Sequence, residues 1–257
     1  MPFLNGIDPI FLSVALLCVI IIGISKSGLG GGLGQLTVPV MTIFISPLEA
    51  VAIMLPILCT IDFLNIWGYR KHWRKDFLLV MIPGAVVGVA IGGLTFKYVD
   101  DSYIRLLLGV LSLFFAFSYF RQKKAVTIEG RRAVLFGTFC GTLSGFTSTV
   151  AHAGGGPIKM FLLPQRLDKR IFVGTQVYFF FLVNQMKIWP YFWLGQFTPE
   201  SLSFSAMLLP AIPIGMWIGY KLVDIVKPET FYKIVYAVLF LAGCKLIYDG
   251  LAGLGYV

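Results

Sequence analysis

Charge is scarce in this chain of 257 residues. Asp, Glu, Lys and Arg make up only 13% of it, against about 25% in an ordinary soluble domain. Hydrophobic residues reach 58% and the mean hydropathy is +0.85, so a water-soluble globule is excluded and a polytopic membrane protein expected. Histidine occurs twice and cysteine four times. Cys18, Cys59, Cys140 and Cys244 fall in apolar runs without ligand spacing, so they read as buried thiols, and neither a metal site nor a cofactor is expected. A triad is missing too. His152 has Ser148 and Thr149 nearby but no acidic orienter, which argues against an enzyme. No polar stretch is long enough for a second domain, so the chain reads as one integral unit. Met1–Pro9 lacks the basic start of a cleavable signal, and the first helix is expected to be retained.

Glycine, by contrast, is abundant and clustered. Ser25–Gln35, SKSGLGGGLGQ, interrupts an apolar run from Ile10 to Ile45, and Ser148–Lys159, STVAHAGGGPIK, interrupts a second run from Ala133 to Leu163. Unwound backbone survives at membrane depth only where protein or a water-filled cavity covers its polar groups. Three adjacent glycines there predict a broken helix beside a cavity. The four-residue spacing of Gly84, Gly88 and Gly92, and of Gly215 and Gly219, instead fits close helix packing.

Along the chain, Asp8-Pro9 is a cap with proline at the first helical position, and Ser46-Pro47-Leu48-Glu49 is a capping box. Short helices are expected to about Gly23 and from Leu33 to Ile45, each nearer half a crossing than a full one. Crossings follow to Tyr69, over Phe77–Tyr98 and over Tyr103–Phe120. After the polar loop Arg121–Arg132, Ala133–Val150 and Ile158–Leu163 flank the second break. Crossings over Ile171–Leu194, Phe204–Val223 and Phe231–Tyr248 complete the chain, with Gly195–Ser203 as a turn.

The halves match in order. Gly30-Gly31-Gly32 pairs with Gly154-Gly155-Gly156, Ile66-Trp67 with Ile188-Trp189, Pro83, Gly88 and Gly92 with Pro210, Gly215 and Gly219, and Arg105 with Lys233. The separations are 124, 122, 127 and 128. Residues 1–124 and 125–257 therefore read as two repeats. Of the 21 lysines and arginines, fifteen fall in or beside four turns, around 70–75, 121–132, 166–170 and 221–233. The positive-inside rule makes those turns cytoplasmic. The basic balance thus reports topology and does not call for a nucleic-acid partner. A hairpin plus three crossings is an odd number of net passages, so the second repeat enters upside down. The fold class read here is an all-α integral membrane protein of two inverted repeats, each a glycine-broken helical hairpin plus three transmembrane helices. Many secondary transporters share that plan.

Helices that begin in mid-membrane after each triplet aim their N–H groups and positive ends inward, which suits a small anion. The candidate binding residues are Lys26, Ser27, Gly30, Gly31, Gly32 and Gln35 from the first half. From the second come Thr149, His152, Gly154, Gly155, Gly156, Lys159, Gln176, Asn184 and Lys187. The plainer reading of Lys26 and Lys159 is snorkelling to an interface. Lys187 and Gln176 share a helical face, which favours a cavity. Asp62 is the one carboxylate well inside a crossing, where an acid is either paired with a lysine or functional. Asp62 and His152 are both candidate proton carriers. Trp67, Trp73, Trp189 and Trp193, near span ends, read as an interfacial belt.

With its paired segments GLGGGLGQLTVPV and AHAGGGPIKMFLLP, and a basic turn after the next span, the chain resembles the sulfite exporter TauE/SafE family over nearly its whole length. The resemblance implies a multi-pass permease of the bacterial inner membrane for sulfite, thiosulfate or an organosulfonate. Its partners would be that anion, protons and the lipid bilayer, with a homodimer left open. His-Ala ahead of the second triplet and the cluster Asn184-Gln185-Met186-Lys187 depart from the family's pattern. A passive anion channel, or a carrier of another anion such as a carboxylate, uses the same groups. Flux against an imposed pH gradient separates the channel from a coupled carrier.

Overall fold

The computed structural model describes residues 8–28, 34–120, 130–165, 167–225 and 228–256, which are helical or in short links with no strand. Gly30, Gly31, Gly32 and the repeat boundary at 124/125 lie outside the described residues, as do the side-chain surroundings of Gln35. Each starting signal acts as its chemistry requires. Asp8 Oδ1 accepts from the Ile10 N–H at 2.9 Å and α1 spans Pro9–Gly28. The short α2 covers Gly34–Met41. Ser46 and Glu49 form the reciprocal capping box that opens α3, Pro47–Tyr69. The helices α4, Lys75–Tyr98, and α5, Asp101–Phe120, complete the first half.

The second half holds α6, Gly130–Ala151, the short α7, Gly155–Leu162, and α8, Lys169–Trp193. It ends with α9, Pro199–Leu208, α10, Ala211–Ile225, and α11, Pro228–Gly253. Among the described residues, α1, α3, α4, α6 and α8 are each long and apolar enough to cross a membrane, and α9 with α10 makes a sixth candidate. The protein is a multi-pass, all-helical membrane protein.

Three expectations need correction. The first arm of the first hairpin is a full-length helix of 20 residues, because isolated glycines such as Gly23 cost a helix only about 1 kcal/mol each and do not stop it. Only the second arms are short. The expected crossing at Phe204–Val223 is broken at Leu209-Pro210 and bends by 44°, since proline removes a backbone donor and clashes with the preceding turn. Its first piece also starts earlier, at Pro199, under a Thr198 capping box. Finally, Cys244 is exposed, and Cys59 is only partly covered although it packs against the larger apolar core.

Helices in lipid gain little from apolar burial alone, so their contacts rest on close backbone approach. The contact of α4 with α6 shows it from both sides. A Cβ on Gly84 or Gly88 would collide with the carbonyls of Thr138 or Thr142, and one on Gly141 or Gly145 with those of Met81 or Ala85. Gly215 and Gly219 of α10 meet α1 in the same manner, at Ile20 and at Ile24 and Ser27. Further pairs join α5 to α11 and α3 to α8. Arg105 of α5 donates to the Thr42 and Ile45 carbonyls at 2.6 and 3.3 Å, which fixes the end of α2. One apolar core gathers α1, α3 and α9, a second gathers α4, α7 and α8. The polar residues described next lie where α1, α3, α6, α7 and α8 meet.

Candidate functional site

Lys26 closes the last turn of α1, not an unwound segment. Its Nζ lies 2.5 Å from Asp62 Oδ1 on α3, and the carboxylate is 1% exposed. Asn184 Nδ2 of α8 donates to the other oxygen, also at 2.5 Å. Asp62 is therefore paired, with each oxygen committed to a different helix. The ammonium of Lys26 also sits 5.6 Å from the Phe180 ring centre. Asp62 and Asn184 are 122 residues apart, the same separation as Ile66-Trp67 from Ile188-Trp189. The bond thus joins two positions that share the spacing of that matched pair. Leu58 with Phe180, and Asn65 with Lys187, share that spacing.

A second network forms at the end of α6. His152 adopts φ 51°, the left-handed conformation that ends many helices and that glycine usually supplies. The His152 N–H returns to the Ser148 carbonyl at 3.0 Å, which closes the helix. A side chain there costs roughly 1–2 kcal/mol, and both ring nitrogens offset it. Nε2 is 3.0 Å from the Val51 carbonyl of α3, while Nδ1 is 2.8 Å from Lys187 Nζ. A carbonyl only accepts, so Nε2 carries the proton and Nδ1 offers its lone pair to the ammonium. Lys187 is fully buried and donates also to Ser148 O at 3.0 Å and Ser148 Oγ at 3.1 Å. All three ammonium hydrogens therefore end on neutral acceptors. The Ser148 hydroxyl proton has no acceptor among the described residues.

These networks face one small cavity, lined by Lys26, Ser148, His152, Gly155, Phe180 and Asn184, with apolar walls from Ile22 and Leu58. Its volume of about 20 Å³ suits a water or two, since one water needs roughly 10–15 Å³. An oxyanion would have to widen it. Gly155 opens α7, so the free N–H groups of that helix start at the cavity wall. Formal charges around it are Lys26 and Lys187 positive and Asp62 negative, which leaves one cation without a counterion.

The remaining sequence candidates scatter around this centre. Ser27 Oγ donates back to the Gly23 carbonyl at 2.8 Å. Thr149 returns its hydroxyl to Gly145 at 2.9 Å, and its carbonyl accepts from Tyr191 at 2.6 Å. The Gly154 carbonyl accepts from Ser144 at 2.7 Å. Gly156 and the half-buried Lys159 lie on α7 outside the cavity lining. Gln176 is buried one turn before Phe180. Sequence reasoning passed over Ser148, Phe180 and the Val51 carbonyl. Ser148 carried a signal, a hydroxyl one helical turn before His152; a main-chain carbonyl carries none.

The family model described as Sulfite exporter TauE/SafE matches residues 15–246 of the chain. No curated protein and no solved structure matches it.

Proposed function

The chain belongs to the sulfite exporter TauE/SafE family, and from that premise we propose a secondary transporter that carries a small sulfur oxyanion or organosulfonate across the bacterial inner membrane in exchange or symport with protons. The family's members are transporters, not enzymes. The observation that carries the reading is Lys187, buried and held only by neutral groups, behind a serine hydroxyl that faces the cavity. A bare buried cation is costly, and a bound anion relieves it. The anion accepts from the Ser148 hydroxyl, the Gly155 N–H and a freed hydrogen of Lys26. Asp62 holds that lysine when no anion is bound. Protonation of Asp62 releases Lys26 to the anion, which links the two movements. His152 is less suited to carry the proton because its Nδ1 lies 2.8 Å from Lys187 Nζ, where a second proton would set two cations against each other.

Two inverted repeats remain part of the proposal. The exchange of α1 with α6 and of α4 with α10 turns one glycine contact into the other, which supports equivalent halves, as does the 122-residue bond. With the basic turns cytoplasmic, Arg70–Asp76 faces inward and both termini face the periplasm. The small cavity favours a carrier over an open pore. The test is radiolabelled sulfite flux into proteoliposomes, with thiosulfate, sulfoacetate and acetate as competitors. Accumulation under a pH gradient that an uncoupler abolishes is expected. Uncoupler-insensitive flux down the sulfite gradient alone would mean a channel, and preference for acetate would remove the sulfur reading.

A further inference from the structure

Gln176 is 2% exposed, and neither its amide nitrogen nor its amide oxygen has a partner among the described residues. Burying an amide without hydrogen bonds costs several kcal/mol in an apolar medium, so such a group asks for a ligand or water. Its place on α8 is informative. Gly174 and Thr175, the residues just before it, dock on the turn between α3 and α4. A Cβ on Gly174 would strike the His72 carbonyl, and Thr175 Oγ1 accepts from the Arg74 N–H at 3.1 Å. Trp73 stacks on Tyr178 at the same level, with ring centres 4.5 Å apart. Gln176 therefore sits at the level of the basic turn.

From there the helix face runs inward at one-turn intervals. Gln176, Phe180, Asn184 and Lys187 follow at spacings of four, four and three, which align on one side of a helix. Asn184 is some 12 Å deeper than Gln176, at about 1.5 Å per residue. Phe180 stands between them, with its ring against the Gly154 position and over Lys26. The Phe180 ring lines the central cavity, and the unsatisfied amide of Gln176 belongs to the turn of α8 before it, nearer the basic turn.

We propose that Gln176 is a second anion station on the route between the basic turn and the central cavity, with Phe180 as the gate between the two. The amide NH₂ donates to an oxyanion oxygen, and the amide oxygen takes a water or a protonated oxygen of the same ion. This rests on the transport reading above, since a protein that moves no anion needs no route. The station bears on passage, not on affinity at the centre. Gln176→Leu in proteoliposomes should bind sulfite with a Kd within twofold of the parent yet carry it about tenfold more slowly, the worth of one hydrogen bond to a charged group. Gln176→Met, close in length and volume and with no polar group to bury unpaired, is safe for folding and should slow flux as much as the leucine variant. Flux of both variants within twofold of the parent overturns the station. So does a loss of binding in proportion to flux, which would put Gln176 in the central site. A parent that transports no sulfur anion would instead overturn the transport reading, and is scored before the variants.

Discussion

Lys26, largely covered, and Lys187, fully buried, are two ammonium groups within one cavity's reach, and they are held by opposite means. Lys26 is closed by a carboxylate, which is itself fixed by an amide from another helix. Lys187 is closed by a carbonyl, a hydroxyl and an imidazole, none of them charged. The first arrangement is electrically complete, an ammonium matched by a carboxylate, and on the proposed mechanism a proton on Asp62 would end it. The second is geometrically complete and electrically open. A molecule that only had to fold would gain by pairing both lysines or by having neither. On the proposed function, the first would be a latch and the second a receptor for negative charge.

Removal of each lysine should therefore cost different things. Lys26→Met strands the Asp62 carboxylate and should destabilise the protein by about 3–5 kcal/mol, read as a lower melting temperature in detergent. Lys187→Met leaves no stranded charge. It should keep a melting temperature near that of the parent and weaken sulfite binding on the order of 100-fold, read by calorimetry. If the two variants exchange these effects, the latch and the receptor have been assigned the wrong way round.

A change at Asp62 makes the two lysines alike. Asp62→Asn leaves Lys26 without a counterion, so sulfite should bind about tenfold more tightly. Exchange of labelled anion should persist, while accumulation driven by a pH gradient is lost. Full gradient-driven transport in Asp62→Asn, with none in His152→Gln, would move the proton to the histidine. The smallest change tests how Lys187 is felt through Ser148. Ser148→Ala keeps the charge and removes the hydroxyl, so binding should fall only several-fold, within the worth of one hydrogen bond, and coupling should stay intact.

The two networks were unequally legible in the sequence. Lys26, Asp62, His152, Asn184 and Lys187 stand out because a polar side chain in an apolar run is expensive and needs a reason. Their partners did not stand out. Sequence allowed Asp62 a lysine without saying which, since α1 and α3 meet only through tertiary packing. The Val51 carbonyl beside His152 has no side-chain signature at all. Helix starts were readable where a cap was spelled out, as at Ser46-Pro47-Leu48-Glu49. The bend at Pro210 was missed because Pro83, its counterpart in the repeat pattern, sits inside the unbroken α4. The difference lies in their settings: α4 is clamped along α6 by four glycines, whereas at Leu209-Pro210 the helical bonding tightens to i→i+3 bonds, from Leu209 to Ala206 and from Ile212 to Leu209.

The bond between Asp62 and Asn184 bears on how such a chain came to exist. Suppose two identical half-length chains once met across a dyad, as a duplicated ancestor implies. The residues facing each other on that dyad would then have been the same. Two aspartates would repel, and two asparagines would leave Lys26 without its anion. Neither matched pair can hold a lysine with one oxygen while accepting an amide with the other. Only after both copies were written into a single reading frame could one become acidic and the other stay neutral. On this supposition fusion was what allowed an acidic group to arise opposite a neutral one, because a symmetric ancestor had no means to encode a difference between its two sides.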